Sequence, residues 1–200
     1  MSLGIQSYCS FNSEGIYRNG KPILLNENLT FDEFALKTYK QFEIGYSKYH
    51  KMDNLCKLAI LTSEFLLNKG QLLEDVSSDE IAIILGNNSS SIISDTAHQK
   101  SIDELPSPAV FVYTLPNIMI GEMCIKYKIT GENSCFQMKE FDMFFLNKYV
   151  SHLFKKDNYK YCITGWVDFD VNDYQAYLFL ITNTNSNTIS KFDENIKNLI

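Results

Sequence analysis

Residues 107–140 read SPAVFVYTLPNIMIGEMCIKYKITGENSCFQMKE, and the rest of the 200-residue chain is organised around them. Pro106 and Pro108 disfavour helix before Ala109, because proline lacks an amide hydrogen and crowds the residue before it. Pro116 separates the apolar run 110–112 from a helix that Asn117 is placed to cap. Within that helix Ile118, Met119, Met123, Ile125 and Ile129 recur at three- and four-residue steps, the spacing of one buried face, and Gly121 leaves room for close packing. Gly131 is expected to end it. Residues 134–138 alternate, with strand character in Cys135 and Phe136, and a new helix is expected near Glu140. Strand, sharp turn and helix in that order present a nucleophile well, because first-turn amides favour developing negative charge.

The wording of the stretch resembles the β-ketoacyl synthases of the thiolase-like superfamily. Those enzymes carry a Ser-Pro motif, an Asn in the next helix, and Gly-Pro-Ser leading to Thr-Ala-Cys. Here those places are Ser107-Pro108, Asn117, Gly131-Glu132-Asn133 and Met138-Lys139-Glu140, aligned without gaps. The resemblance continues without a length change to Ile163-Thr164-Gly165-Trp166, where the family has Ala-Gly-Gly. Upstream it is looser: 49–53 (YHKMD) looks like the segment ahead of the family's first long helix, and 81–86 like the strand after it. The implied fold class is α/β, a thiolase-like half-fold with a mixed β-sheet packed by helices and a small projecting N-terminal hairpin. The whole chain, 1–200, is expected to form one such domain.

The departures bear on function. The family's nucleophilic Cys falls on Glu140, and a carboxylate there cannot form the thioester that loads an acyl chain. Cys135 lies five residues earlier, inside the expected strand, and reads as a small buried hydrophobe. The family's two active-site histidines come from a second half that would begin where this sequence stops. His50, His98 and His152 sit elsewhere and read as surface or packing residues.

Composition sets outer bounds. A hydrophobic content of 45% supports one ordered domain, while a formal charge of −6 argues against a nucleic-acid groove, which needs a basic face. Lys155-Lys156 reads as a solvated helix end. Cys9, Cys56, Cys124, Cys135 and Cys162 are odd in number, lack CxxC spacing and read as reduced, so neither a disulfide framework nor a structural metal is expected, and no cofactor is read. No run of about eighteen apolar residues is present and the N-terminus lacks a signal-peptide pattern, so a cytoplasmic protein without membrane insertion is expected.

Taken in order, residues 5–11 are the first strand. Asn19-Gly20 between 16–18 and 22–25 signals a hairpin, because both residues tolerate positive φ. A short helix is expected after Thr30. Residues 52–67 form the clearest helix, with Leu55, Leu58, Leu61 and Phe65 on one stripe, Glu64 off it, Asp53 as the cap and Gly70 as the stop. The apolar run 81–85 reads as a strand buried on both faces. Gly86-Asn87-Asn88-Ser89-Ser90-Ser91 follows it without the lysine a phosphate loop requires. Residues 92–104 are compatible with helix or an extended crossover. Residues 141–154 form a helix whose Phe144, Phe145, Tyr149, Val150 and Phe154 face the core. Residues 161–169 and 174–182 make a hairpin, with Asp168, Asp170 and Asp173 read as a solvated turn rather than a calcium loop. Residues 183–188 are expected to be mobile, and 189–200 to add a short helix. No internal repeat is present.

The resemblance implies condensation of acyl and malonyl thioesters on an acyl carrier protein, with the residues that hold the thioester substituted or absent here. It also includes subunits that lack the Cys, pair with an active synthase and shape the acyl tunnel. The expected function is therefore a non-catalytic ketosynthase-like subunit of fatty-acid or polyketide-type chain assembly. Its expected partners are a complete ketosynthase and an acyl carrier protein, with pairing of two copies also expected. Ser107, Thr114, Asn117, Ser134, Phe136 and Met138 are the candidate interface or tunnel residues. Two alternatives are a malonyl-carrier decarboxylase using Glu140 with a complementary chain, and a binding domain for an unrelated small ligand.

Overall fold

The computed structural model describes residues 2–102, 107–170, 173–184, 187–193 and 196. Among them one eight-stranded mixed sheet runs in the order β3-β2-β1-β7-β6-β4-β5. Its strands are β1 (Leu3–Asn12), β2 (Gly15–Arg18), β3 (Lys21–Leu25), β4 (Ile81–Asn87), β5 (Asn133–Gln137), β6 (Tyr161–Phe169) and β7 (Tyr174–Asn183); β8 (Ser190–Lys191) pairs beside β1. Strands β4, β5 and β6 are parallel, and β6, β7 and β1 are antiparallel. The hairpin β2–β3 turns at Asn19 and Gly20, both at positive φ, and continues the sheet beyond β1 as its outer edge.

The sheet has a core on each face, as strand alternation requires. On one side Ile81, Ile83 and Leu85 of β4 pack with α1 (Phe31–Gln41), α2 (Asn54–Leu66) and α5 (Ile118–Tyr127). On the other side Ala82 and Ile84 pack with Met143, Leu146, Val150 and Phe154 of α6 (Met143–Lys156). Every residue of β4 is buried, which explains its unbroken apolar run. Two further helices, α3 (Ile92–Ile102) and α4 (Pro108–Phe111), lie between β4 and α5.

The helix starts follow local chemistry. Thr30 and Glu33 form a reciprocal capping box on α1. Asp53 Oδ1 accepts the Cys56 amide at 2.9 Å, and Asp142 Oδ1 accepts the Phe145 amide at 3.0 Å. Gly165 has φ +145° at a very close strand approach: a Cβ there would stand 1.9 Å from the Tyr177 carbonyl oxygen, so only glycine fits.

Several expectations are corrected. Residues 92–102 are helical, while 103–106 lie outside the described residues. The run 110–112 is a helical turn, with Pro108 at its start, where a missing amide hydrogen costs no helix bond. Helix α5 ends at Tyr127 on the left-handed Lys128 instead of reaching Gly131. Gly121 abuts nothing within 4 Å, so close packing is not its role. Ile125 and Phe144 are exposed; the Lys148 ammonium sits 3.9 Å from the Phe144 ring centroid. Glu64 is buried, held by the Tyr127 hydroxyl at 2.6 Å and Lys126 Nζ at 3.2 Å. Ser190–Lys191 is a strand rather than helix; 194, 195 and 197–200 lie outside the described residues. Of residues 183–188, Asn183 pairs with Leu3 and the Thr184 hydroxyl donates to the Ser2 carbonyl at 2.8 Å, whereas 185 and 186 lie outside the described residues.

Candidate functional site

The parallel strands β4, β5 and β6 end side by side, and the loops leaving them converge on a cavity of about 210 Å³. Crevices at the carboxyl ends of parallel strands are the usual ligand sites of α/β sheets. Lys139, Glu140 and Phe141 come from the turn after β5, Asn88 from the loop after β4, and Trp166 and Asp168 from β6. Gln175 and Tyr177 of β7 complete the lining.

The walls are fixed by packing. Gly86 lets two side chains meet over β4: a Cβ there would stand 2.3 Å from the Met138 methyl and 3.0 Å from the Trp166 ring. Phe141 is ringed by Trp166, Tyr177 and Phe179 at centroid separations of 6.1, 6.3 and 6.5 Å. Burial pushes the Tyr177 phenol above its ordinary range, and its hydroxyl donates to Gln175 Oε1 at 3.1 Å.

The loop after β4 is held by a carboxylate. Asp168 Oδ1 accepts the amides of Asn88 and Ser89 at 3.1 and 2.7 Å, and Oδ2 accepts the Ser89 hydroxyl at 3.0 Å. Those donors are committed, so this loop is not a phosphate cradle. Asn87 Nδ2 donates to the Val167 carbonyl at 2.6 Å, and the Asn87 carbonyl accepts the Met138 amide at 2.8 Å. Sequence reading missed this role: an aspartate three residues after a strand glycine, 79 positions from its partner, gives no local signal. Asp168 belongs to the site, while Asp170 and Asp173 form the β6–β7 turn, where the Asp170 amide donates to the Asp173 carbonyl at 2.8 Å. Among the described residues no group of three His, Cys, Asp or Glu side chains is arranged to hold a metal ion.

Glu140 lies on the β5–α6 turn and is exposed. It stands before the helix instead of at its first turn, because α6 begins at Met143 and Asp142 is its cap. Cys135 points the other way, toward α5: its thiol lies 3.5 Å from the Pro116 carbonyl, and burial pushes its pKa up to about 11. The histidines are absent from the cavity wall. His50 packs on Tyr39 and Tyr49, His98 on Phe111, and His152 is exposed on α6.

The six candidate interface or tunnel residues fall into two groups. Ser134, Phe136 and Met138 lie on one face of the edge strand β5 and its exit; Phe136 packs on Phe145 and Tyr149 at 4.8 and 5.0 Å. Ser107, Thr114 and Asn117 lie along α4 and the start of α5. The Ser107 carbonyl accepts the amides of Val110 and Phe111, and the Thr114 carbonyl accepts the Ser91 hydroxyl at 2.8 Å. Asn117 holds the cap position of α5 without a side-chain cap bond. Of the six, none lines the cavity at Glu140, although the Met138 methyl packs beside its Trp166 wall.

This architecture, with its turn between β5 and α6, defines a thiolase-like, ketosynthase-like half-fold. Among solved structures, the ishigamide ketosynthase/chain length factor superposes with a TM-score of 0.65 at 15% identity, covering 93% of this chain and 63% of that one. A ketosynthase with its chain length factor from Xenorhabdus doucetiae gives 0.57 at 12% identity, covering 93% and 81%. A β-ketoacyl synthase from Burkholderia phymatum STM815 gives 0.60 at 11% identity, covering 92% and 59%. The chain thus spans 63% of the ishigamide protein and less of the Burkholderia enzyme. No protein-family model and no curated protein sequence matches it.

Proposed function

We propose that this chain is a non-catalytic ketosynthase-like subunit of fatty-acid or polyketide-type acyl chain assembly, acting beside a complete ketosynthase. The reading rests on Glu140, which the sequence resemblance puts in the place of the family nucleophile and which lies exposed on the β5–α6 turn, while the nearby thiol, Cys135, is turned toward α5 with its thiolate disfavoured by burial. A carboxylate at that place cannot carry an acyl thioester. Structural neighbours that include a ketosynthase paired with a chain length factor support a paired assembly.

A partner surface is supported by two adjoining features. Strand β5 ends the sheet with one edge unpaired among the described residues. Near it Phe111, Val112 and Leu115 are exposed on α4 and the turn after it, with Ile92 and Ile102 on the neighbouring α3. Exposed apolar side chains gathered in one region mark interaction surfaces.

The decarboxylase reading is less well supported. It needs a complementary half over the active turn, whereas the outward side of α6 carries Lys148, His152, Lys155 and Lys156 beside the Lys148-covered Phe144. That stripe is solvated and does not call for an apolar cover.

The test is co-expression of the tagged chain with a ketosynthase encoded beside it, followed by affinity purification and product profiling. The expected result is a stoichiometric complex whose acyl products change when this chain is omitted. Recovery of the chain alone, with products unchanged by its loss, would sink the proposal. So would mass-spectrometric detection of an acyl group on any of its five cysteines after incubation with a loaded carrier protein.

A further inference from the structure

A second cavity, of about 330 Å³, lies on the α2 side of the sheet, away from Glu140. It is framed by the start of α2, the first turns of α3, and α4. At the roughly 30 Å³ that a water-sized group occupies, it has room for on the order of ten heavy atoms. We propose that it binds a small neutral hydrophobic molecule bearing one hydrogen-bond acceptor, such as an alkyl ketone, ester or amide. This assignment is independent of the ketosynthase-like reading.

The lining sets the class of ligand. Met52, Leu55, Ile93, Val110 and the Phe169 ring make an apolar wall, which offers water few partners. Ala97 of α3 and Ala109 of α4 both line the space, and larger side chains there would narrow it.

Charge is settled in the wall itself. Asp53 accepts the Cys56 amide on Oδ1 and the Ser94 hydroxyl on Oδ2 at 2.7 Å, so it requires no ligand cation and disfavours a ligand carboxylate beside it. Lys51 stands at the exposed rim, where water screens it. The Ser91 hydroxyl is committed to the Thr114 carbonyl.

Tyr113 supplies the polar contact. It lines the cavity, and burial, with the Glu122 carboxylate in its field, pushes its phenol up to about 12, so it is a neutral donor. A largely apolar wall that carries this phenol, with Asn54 and Ser90 as further polar side chains of the lining, is suited to a hydrocarbon body with a carbonyl oxygen.

The probe is 2-octanone, titrated into the full chain and followed by calorimetry and ligand-observed NMR. One saturable site is expected. Ala109→Trp fills the mouth at an exposed position and should abolish binding with folding retained, and Tyr113→Phe should weaken it three- to tenfold, the value of one hydrogen bond. Octanoate should bind at least tenfold more weakly than the ketone. The single tryptophan, Trp166, lines the other cavity, so its fluorescence should stay constant throughout. Absence of saturable binding, undiminished binding in Ala109→Trp, or a Trp166 response that tracks the titration would overturn the site. Equal affinity for octanoate, or no effect of Tyr113→Phe, would overturn the class of ligand.

Discussion

Asp168 holds Ser89 by two atoms at once, accepting its amide at 2.7 Å and its hydroxyl at 3.0 Å. With the Asn88 amide on the same carboxylate, this tie fixes the loop after β4 against β6 and sets one wall of the cavity at Glu140. Hydrogen bonds to an ionised group are worth more than neutral ones, and their loss leaves the loop amides without partners. Asp168→Ala should therefore cost about 1–3 kcal/mol in denaturant unfolding. Amide exchange at Asn88 and Ser89 should accelerate well beyond that of β4.

Gly165 and Gly121 should respond in opposite ways to alanine. At Gly165 the new Cβ meets the Tyr177 carbonyl at 1.9 Å with φ at +145°, so Gly165→Ala should lose more than about 3 kcal/mol or fail to fold. At Gly121, inside α5, the Cβ meets nothing, and Gly121→Ala should raise stability by up to about 1 kcal/mol through helix propensity. Paired thermal and denaturant melts check both signs.

The buried pair Glu64–Lys126 ties α2 to α5, with the Lys126 ammonium also 4.8 Å from the Tyr46 ring centroid. Lys126→Met should destabilise by about 3 kcal/mol, because it strands a buried carboxylate. Adding Glu64→Gln should recover part of that loss. A double-mutant cycle by urea denaturation measures the coupling, and strict additivity would exclude it.

Cys135 should titrate late. Its pKa of about 11 in the folded chain, against 9.0 for an unperturbed thiol, leaves about a hundredfold less thiolate near pH 8. Alkylation at Cys135 should be slow at pH 8, rise toward pH 11, and become fast at pH 8 once the chain is unfolded in urea. Rapid labelling of the native chain at pH 8 would contradict the burial that keeps this thiol protonated.

The exposed apolar side chains on α4 and the turn after it should carry partner binding. Phe111→Asp combined with Leu115→Lys should abolish recovery of a ketosynthase in the purification described above while lowering the melting temperature only slightly, since both side chains are about half exposed. Glu140→Gln should leave the complex intact.

Local grammar made much of the fold legible. Asn19-Gly20 specified a hairpin, Asp53 a helix start, and the run 81–85 a strand buried on both faces, because turn conformation, capping and alternation each act within a few residues. Helix ends were less legible. Lys128 stops α5 three residues before Gly131, and Asp142 caps α6 two residues after Glu140, choices that depend on where each helix meets the sheet.

By itself the sequence determined most of the longer strands and helices, since alternation, helical periodicity and capping are properties of short stretches. Only the tertiary structure decided that Asp168 anchors the loop beside Glu140, that Glu64 is buried with Lys126, and that Tyr113 opens onto a second cavity. Those relationships join residues tens of positions apart, and their energies exist only once the sheet has brought the partners within contact distance.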